Sequence, residues 1–402
     1  MSAIGRRRRF IIVAMGLSDP GTMGGNSKIV LELARCLAAS QEVHFIVPRA
    51  KVKTVDDAIG RPAGLILHEV EPFSAGDLRH PVASTRHYTR VVREVFESLQ
   101  VGADDVVYTC SDFHVDTLPG YRLKKEFGYH WIAVQFLFVP FIFENLWRGY
   151  KFPALKYVLV WCYSQVLFRL ARRKADAYVI TNDSDRRHFD EKFQSRVFAY
   201  YGGVNVDQIP VDDVEKTRDV VFCSRLHPQK GIDGFLDTWK LVREKCPTVR
   251  LTVIGNGASA YEAMLKAKAE RLGIADSIDW LGYVNNEAKY EIYKSAQILV
   301  HPTVFDNNGM VAAEALCSGL PVVMYDLPAL REVYTMGCTK VPFGDKRAFA
   351  DQIIRLLSDS SYYSAIAPTS EQITALRKHW DWSNRTKQFR RWLQSCFAGG
   401  LD

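Results

Sequence analysis

The chain lacks the features that mark several large classes of protein. No stretch approaches about 18 uninterrupted apolar residues, so we expect no transmembrane helix. The apolar run Phe10 to Met15 is too short for a secretory signal and leads into a glycine-rich loop, so it predicts a first β-strand. The eight cysteines form no CxxC pair and no Cys/His spacing typical of a metal site. Scattered thiols of this kind indicate reduced cysteines in a cytoplasmic protein.

Familiar phosphate and metal motifs are also missing. The loop from Gly16 to Gly25 carries four glycines, but it has neither the Gly-Lys of a P-loop nor the spacing GxGxxG. The Asp-x-Asp pair that often holds a divalent metal at the end of a strand has no counterpart here, since Asp183-Ser-Asp185 lies in another setting. We therefore expect no metal and no other cofactor.

Composition and charge are those of an ordinary globular protein with two domains. The 402 residues are 48% hydrophobic and 24% charged. This length suits two domains of about 200 residues, each with its own hydrophobic core. The formal net charge is +7. This excess favours anionic partners such as phosphorylated ligands, and it is too small to indicate nucleic acid.

The first half alternates buried strands and amphipathic helices, which predicts a parallel, doubly wound sheet. After the strand Phe10 to Met15, Gly24 and Gly25 end the loop and Asn26 begins a helix. Such a strand–loop–helix unit lets a phosphate approach the backbone, although a plain flexible loop is the alternative. We also predict strands at 43–48, 65–70, 105–110, 129–134 and 176–181.

Residues 136–173 are unusually aromatic and basic. Pro140 and Pro153 predict a loop and two short helices. Aromatic side chains interleaved with arginine and lysine suit a membrane interface or the cover of a cleft, and an ordinary core helix is the alternative. Together with the basic run Arg6 to Arg9, this region suggests weak peripheral contact with a membrane.

The second half repeats the alternation and places basic residues where its strands end. Arg225 and Lys230 lie in the loop between the strand 220–224 and the helix 232–245, where both could reach one diphosphate. Gly255 ends the next strand, in the triplet Gly255-Asn-Gly257. Further along, we predict a helix at 286–295 and a strand at 298–301.

The stretch from His301 to Glu332 then reads strand, loop, helix, strand and loop. The loop 307–309 precedes a short helix, Met310 to Cys317, so the N–H groups of Gly309, Met310 and Val311 predict an anion site. Two carboxylates flank it. Glu314 suits the two hydroxyls of a ribose, and Asp306 and Asn308 lie where a sugar would sit.

The order of these motifs resembles the retaining glycosyltransferases of family 4, which have the GT-B fold. The resemblance rests on the early Gly-Gly loop followed by Ser-Arg-Leu-x4-Lys-Gly (224–231), Gly-x-Gly (255–257), carboxylate-x7-Glu (306–314) and Ser-Gly-Leu-Pro-Val-Val (318–323). It covers nearly the whole chain and is most specific over 220–335.

The resemblance implies an α/β fold of two tandem Rossmann-like domains facing a cleft. It implies an acceptor-binding domain at 1–205, a nucleotide-sugar-binding domain at 206–375 and a helical tail at 376–402 that packs back on the N-terminal domain. In such enzymes the equivalents of Arg225 and Lys230 bind the donor diphosphate, Glu314 binds the ribose and Asp306 contacts the transferred sugar. The equivalents of Gly24 and Gly25 lie against donor phosphate and acceptor.

Three departures from the family pattern concern the sugar and the acceptor. The first carboxylate is usually Glu and is Asp306 here, and Asn307-Asn308 replaces the usual Gly-Phe. The strand near 110 lacks a histidine that many members carry; we expect Asp112 or His114 to orient the acceptor instead.

The prediction is therefore metal-independent, retaining transfer of a sugar from a nucleotide-diphosphate sugar to a hydroxyl of a glycan, glycolipid or small molecule. It would act in the cytoplasm, with possible contact with the inner face of the membrane. Two alternatives stay open: a sugar-nucleotide epimerase of the same architecture, and a catalytically silent nucleotide-binding subunit.

Overall fold

The chain folds into two compact units, Met1–Gly202 with Trp382–Asp402, and Gly203–Asp381. They are seen in a computed structural model that describes residues 8–19, 24–74, 80–139, 154–212 and 214–397. Each described unit is a parallel β-sheet with helices, as the alternating pattern predicts.

The first unit is built on a seven-stranded sheet with the order β3-β2-β1-β4-β5-β6-β7, and every pair of neighbours is parallel. Its central strands are fully buried apolar runs, as strands covered on both faces must be. The strands are β1 (Phe10–Val13), β2 (Val43–Pro48), β3 (Leu65–Val70), β4 (Val106–Thr109), β5 (His130–Gln135), β6 (Ala177–Ile180) and β7 (Val197–Ala199).

The helices of this unit follow the strands in the order expected for a doubly wound sheet. They are α1 (Gly25–Ala38), α2 (Val52–Ile59), α3 (Pro81–Leu99), α4 (His114–Phe127), α5 (Ala154–Arg172) and, from the end of the chain, α14 (Trp382–Cys396). Phe389 of α14 packs edge-on against the rings of Phe10 and Tyr108 in the sheet. The predicted return of the C-terminal helix to the N-terminal domain is confirmed.

The second unit is built on a six-stranded parallel sheet with the order β10-β9-β8-β11-β12-β13. Its strands are β8 (Arg218–Cys223), β9 (Leu251–Ile254), β10 (Ile278–Gly282), β11 (Ala296–His301), β12 (Val322–Tyr325) and β13 (Cys338–Val341). Its helices are α6 (Ile232–Lys245), α7 (Ser259–Leu272), α8 (Asn286–Ser295), α9 (Met310–Cys317), α10 (Pro328–Arg331), α11 (Lys346–Ser358), α12 (Ser360–Ile366) and α13 (Ser370–Trp380).

Both sheets reverse their strand order at one point, and ligands of open α/β sheets bind there. In the second unit β8 lies between β9 and β11, so the loops after β8 and β11 start side by side. In the first unit the loops after β1 and β4 are placed in the same way. The sequence-predicted site residues lie in or directly after these four loops, apart from Gly255, which follows β9.

One prediction about local structure is wrong. The basic-aromatic region does not end in a short helix, because α5 runs for 19 residues. No proline or glycine occurs between Ala154 and Arg172, so nothing interrupts the helix once it has begun. After β6, the segment Asp183–His188 forms a 3₁₀-helix capped by Asn182. The segment 140–153, which holds Pro140 and Pro153, lies outside the described residues.

Candidate active site

The loops after β8 and β11 are joined backbone to backbone. Gly231 has a φ of 74°, and a side chain there would overlap the carbonyl oxygen of Pro302. Next to it, Val304 donates its N–H to the Gln229 carbonyl at 3.0 Å, and the Gln229 amide donates to the Phe305 carbonyl at 2.8 Å. Glycine is needed at 231 because the chain passes close to β11 in a left-handed conformation. The loop that carries Lys230 is thereby held against the loop that carries Asp306.

Lys230 and Asp306 form an ion pair at the centre of this arrangement. Lys230 Nζ lies 2.6 Å from Asp306 Oδ2, and the two side chains are 20% and 14% exposed. Asp306 Oδ1 accepts the N–H groups of Asn308 at 3.1 Å and Gly309 at 3.0 Å. Burial acts to raise the pKa of Asp306, but the charge of Lys230, the adjacent His301 and these hydrogen bonds hold it well below its usual range.

His301, the last residue of β11, lies near the same oxygen of this carboxylate. Its Nε2 is 3.8 Å from Asp306 Oδ2 and has no hydrogen-bond partner among the described residues. Burial lowers the pKa of His301 to about 4; Asp306 opposes this shift and Lys230 adds to it. The imidazole is therefore neutral near pH 7, and Lys230 is the cation at the carboxylate.

Helix α9 begins directly above this pair. Its N-cap, Gly309, has a φ of 61°, and the Tyr334 hydroxyl lies 2.8 Å from the carbonyl oxygens of both Asn308 and Gly309. Tyr334 in turn stacks on Trp380, with ring centroids 5.7 Å apart. The N–H groups of Met310 and Val311 have no acceptor within the helix, as at every helix start. The Gly309 N–H is already taken by Asp306, so of the predicted anion site the N–H groups of Met310 and Val311 remain as donors at the helix start.

The side chain of Asn308 is buried without a partner. The residue is 8% exposed, and neither the oxygen nor the nitrogen of its amide has a hydrogen-bond partner within the described chain. An unpaired polar group in such a position destabilises the folded state by about 1–3 kcal/mol. Asn308 is thus a candidate for rearrangement when a polar ligand enters.

Glu314 lies one turn further along α9 and is also paired. Its Oε2 is 2.8 Å from Lys289 Nζ, and both side chains are nearly buried. Lys289 belongs to α8 and was not predicted as a site residue, because a lysine in the middle of an amphipathic helix usually faces water. Its partner is 25 residues away in sequence, so no local pattern could have found the pair.

Arg225 and Gly255 lie on the loops after β8 and β9. Arg225 is exposed. Gly255 has a φ of 128°, and a side chain there would overlap the carbonyl oxygen of Ser224. Gly255 thus brings its loop against the residue before Arg225, which is a structural reason for glycine there. Its role in donor binding stays a prediction.

In the first unit, Gly24 is the N-cap of α1 and Gly25 is its first residue. The N–H of Gly24 donates to Ser18 Oγ at 3.1 Å, and Ser18 Oγ lies 2.9 Å from Ser27 Oγ. The two serines therefore hold the end of the glycine-rich loop to the start of the helix. Residues 20–23 of this loop lie outside the described residues.

Asp112 and His114 both make contacts inside the first unit. Asp112 Oδ2 accepts from the Gln135 amide and the Leu137 N–H, each at 3.3 Å, and burial raises its pKa to about 6. His114 is 2% exposed; its Nε2 lies 3.0 Å from Ser84 Oγ and its Nδ1 2.6 Å from the Tyr163 hydroxyl. These contacts tie α4 to α3 and α5, and a role in acceptor binding stays a prediction for both residues.

Asp116 is a buried carboxyl group that the sequence analysis missed. It accepts the N–H groups of Met15 at 2.8 Å and Gly16 at 3.0 Å, and it is also bonded by the hydroxyl of Ser111. Burial raises the pKa of Asp116 to about 6. The carboxyl fixes the point where β1 passes into the glycine-rich loop. Its partners at 15 and 16 lie about 100 residues away, so spacing along the chain carried no signal.

Comparisons with known proteins agree with this architecture. Residues 208–372 match the sequence family described as Glycosyl transferases group 1. A phosphatidyl-myo-inositol mannosyltransferase of Mycobacterium leprae is 29% identical over 246 residues, covering 59% of this chain and 63% of that protein. The chain spans less than two thirds of the length of the first curated relatives that it matches.

Solved structures resemble nearly the whole chain. Sucrose-phosphate synthase from Thermosynechococcus elongatus has a TM-score of 0.78 at 16% identity, with 97% of this chain and 100% of that chain covered. HepE of Anabaena, solved in complex with UDP-glucose, has a TM-score of 0.72 at 17% identity, with 96% and 100% covered. At these identities the likeness shows the fold alone, which confirms the predicted α/β fold with two Rossmann-like domains. Residues 208–372, which form most of the second unit, are thus similar to the glycosyl transferases group 1 family.

Proposed function

We propose that this protein is a metal-independent glycosyltransferase that uses a nucleotide-diphosphate sugar as donor. The observation that carries the proposal is the meeting of Lys230, Asp306 and the start of α9 where the second sheet reverses its strand order. An ammonium group and unpaired N–H groups at one helix end form a site for phosphate. The match of residues 208–372 to the glycosyl transferases group 1 family supports the same class of reaction.

Bond cleavage in this reaction leaves negative charge on the donor diphosphate. The bond between the anomeric carbon and the diphosphate oxygen breaks, and the acceptor hydroxyl oxygen bonds to that carbon. The hydroxyl proton passes to the departing phosphate. Lys230, the exposed Arg225 and the N–H groups of Met310 and Val311 would stabilise the leaving group. We further propose that the anomeric configuration is retained.

Donor binding would change the partner of Lys230. In this structure its ammonium lies 2.6 Å from Asp306, while Oδ1 of that carboxylate accepts the N–H groups of Asn308 and Gly309. A diphosphate at the start of α9 would compete for the ammonium with two phosphate charges. Asp306 would then release Oδ2 towards the sugar and still shape the loop through Oδ1.

The acceptor would be a hydroxyl group of a glycan, a glycolipid or a small molecule, bound by the first unit. Several relatives have names that refer to inositol, as in phosphatidyl-myo-inositol mannosyltransferase and D-inositol 3-phosphate glycosyltransferase. We propose an acceptor with several hydroxyl groups, and a location in the cytoplasm at the inner face of the membrane.

A donor assay separates this proposal from its alternatives. Purified protein is incubated with UDP- and GDP-sugars, with and without polyhydroxylated acceptors, and products are followed by NMR. Release of nucleoside diphosphate together with an α-linked product from an α-linked donor is the expected result. Conversion of the donor into another sugar nucleotide, in the absence of acceptor, would indicate an epimerase. Nucleotide binding with neither reaction would indicate a silent subunit.

A further inference from the structure

The ion pair between Lys289 and Glu314 is unusually well enclosed. Lys289 is 8% exposed and Glu314 3% exposed, and 2.8 Å separates Lys289 Nζ from Glu314 Oε2. The same ammonium donates to the Asn286 side chain at 3.2 Å and lies 4.8 Å from the centre of the Tyr290 ring. Three different contacts therefore fix the position of one cation.

Stability alone does not account for such a pair. Two charges lose their hydration when they are buried, and their attraction often no more than offsets this loss. Apolar residues of similar volume commonly stabilise a protein as well as a buried ion pair does. A lysine beneath a carboxylate on the helix of the proposed phosphate site is therefore better explained by what the carboxylate binds.

The position of Glu314 suits the ribose of a nucleotide. It follows Met310, the first residue of α9, by one helical turn, which is about 6 Å along the axis. In a nucleoside diphosphate the ribose follows the phosphates at a comparable distance. A carboxylate accepts two hydroxyl hydrogens side by side only when it is ionised and correctly oriented.

We propose that Lys289 is a positioning residue for ribose recognition. Its ammonium holds Glu314 turned so that the carboxylate accepts from the 2′- and 3′-hydroxyls of the donor nucleotide. This inference rests on the proposed function, because it assumes that the start of α9 binds the nucleotide phosphates. It adds a residue of α8 to a site otherwise formed by the loops after β8 and β11 and by α9.

Binding of ribose and dideoxyribose nucleotides tests the role of Lys289. Isothermal titration would compare UDP with 2′,3′-dideoxy-UDP, and GDP with 2′,3′-dideoxy-GDP. The wild type should bind its preferred ribonucleotide at least about tenfold more tightly than the dideoxy form, as expected for hydrogen bonds to a charged group. In Lys289→Met this ratio should fall below about threefold.

Two further variants make the result decisive. Lys268→Met removes a lysine that pairs with carboxylates elsewhere in the second unit, and it should keep the wild-type ratio. Lys289→Gln keeps N–H donors in its side-chain amide but removes the charge. It replaces Lys289→Met in the test if that variant does not fold, and its ratio should also fall. A folded Lys289 variant with the wild-type ratio would overturn the inference. A wild type that binds neither nucleotide would overturn the proposed function itself.

Discussion

Two basic side chains, Lys230 and His301, lie against the same oxygen of Asp306, at 2.6 and 3.8 Å. Only Lys230 is charged near pH 7, because burial lowers the pKa of His301 to about 4. The charge of Asp306 is thus neutralised by one cation, Lys230. A donor phosphate can compete with the carboxylate for this ammonium group. A protonated histidine would hold the carboxylate more firmly and compete with the donor.

The lowered pKa of His301 predicts how the stability of the folded protein changes with pH. Below about pH 6.5 an unfolded histidine binds a proton that folded His301 does not bind until about pH 4. The unfolded state therefore gains relative stability as pH falls through this interval, by about 1.4 kcal/mol per pH unit and about 3 kcal/mol in total. His301→Gln removes the effect. Urea unfolding at about pH 7 and pH 4.5 should show the wild type losing more stability than the variant; parallel losses would contradict the assignment.

The sequence reveals which residue types form the motifs of the site. It does not reveal which side chains contact them in the fold. The spacing of Arg225, Lys230, Asp306 and Glu314 pointed to one site, and the structure brings Lys230 and Asp306 into contact. Lys289 and Asp116 escaped notice because each acts on a group far away in the chain. Whether a particular charged side chain is buried depends on tertiary packing. Hydrophobic periodicity in the sequence does not predict that packing for a single position.

At the scale of elements, clear end signals made the helix predictions accurate. Helices α6, α8 and α9 have the predicted bounds, and glycine or asparagine stands at their N-terminal ends. Helix α5 was predicted wrongly because prolines at 140 and 153 were read as breaks within a region whose last 20 residues contain none. Helix-breaking residues such as proline limit where a helix can begin. The length of the helix then depends on the packing of the residues that follow.

The loop that carries Lys230 depends on glycine at 231. Gly231→Ala should reduce the free energy of unfolding by more than about 2 kcal/mol, because it combines a left-handed backbone with overlap on the Pro302 carbonyl. It should also weaken binding of nucleoside diphosphate, since Lys230 would move. Thermal unfolding and titration calorimetry measure the two effects.

Gly234→Ala is the matched control three residues away. It lies in α6 at a position where an added methyl group meets nothing within 4 Å. Replacing glycine by alanine inside a helix should stabilise the protein by about 0.5–1 kcal/mol and leave nucleotide binding unchanged. If Gly231→Ala were as stable as Gly234→Ala, the close approach of the two loops would be refuted.

At the scale of the whole molecule, the surface of α5 is the feature that the proposed donor site does not use. Leu159 and Val166 are 61% and 55% exposed, and the exposed Arg169 continues the same helical face. The exposed Arg173 follows directly after the helix. No helix among the described residues is long and apolar enough to cross a membrane. We propose that this face, defined by Leu159, Val166 and Arg169, lies together with Arg173 on an anionic lipid surface.

Co-sedimentation with vesicles tests the lipid contact. The protein should bind phosphatidylglycerol vesicles at low ionic strength and be released by salt, because its arginines act through screened charge. Val166→Asp should reduce binding severalfold. Val211→Asp, at an 83% exposed position of the second unit, should leave it unchanged. A wild type that remains in the supernatant at low salt would contradict the proposal.

The most direct test of the account is release of nucleoside diphosphate by the wild type, Lys230→Ala and Lys268→Ala, with a donor sugar and an acceptor. Lys230 contacts the carboxylate at the proposed phosphate site, whereas Lys268 pairs with Asp233 and Asp237 elsewhere. We predict transfer by the wild type, a rate at least about 100-fold lower for Lys230→Ala, and a rate within about twofold of wild type for Lys268→Ala. A folded Lys230→Ala protein with a near-normal rate, or a wild type that transfers sugar from no donor, would contradict it.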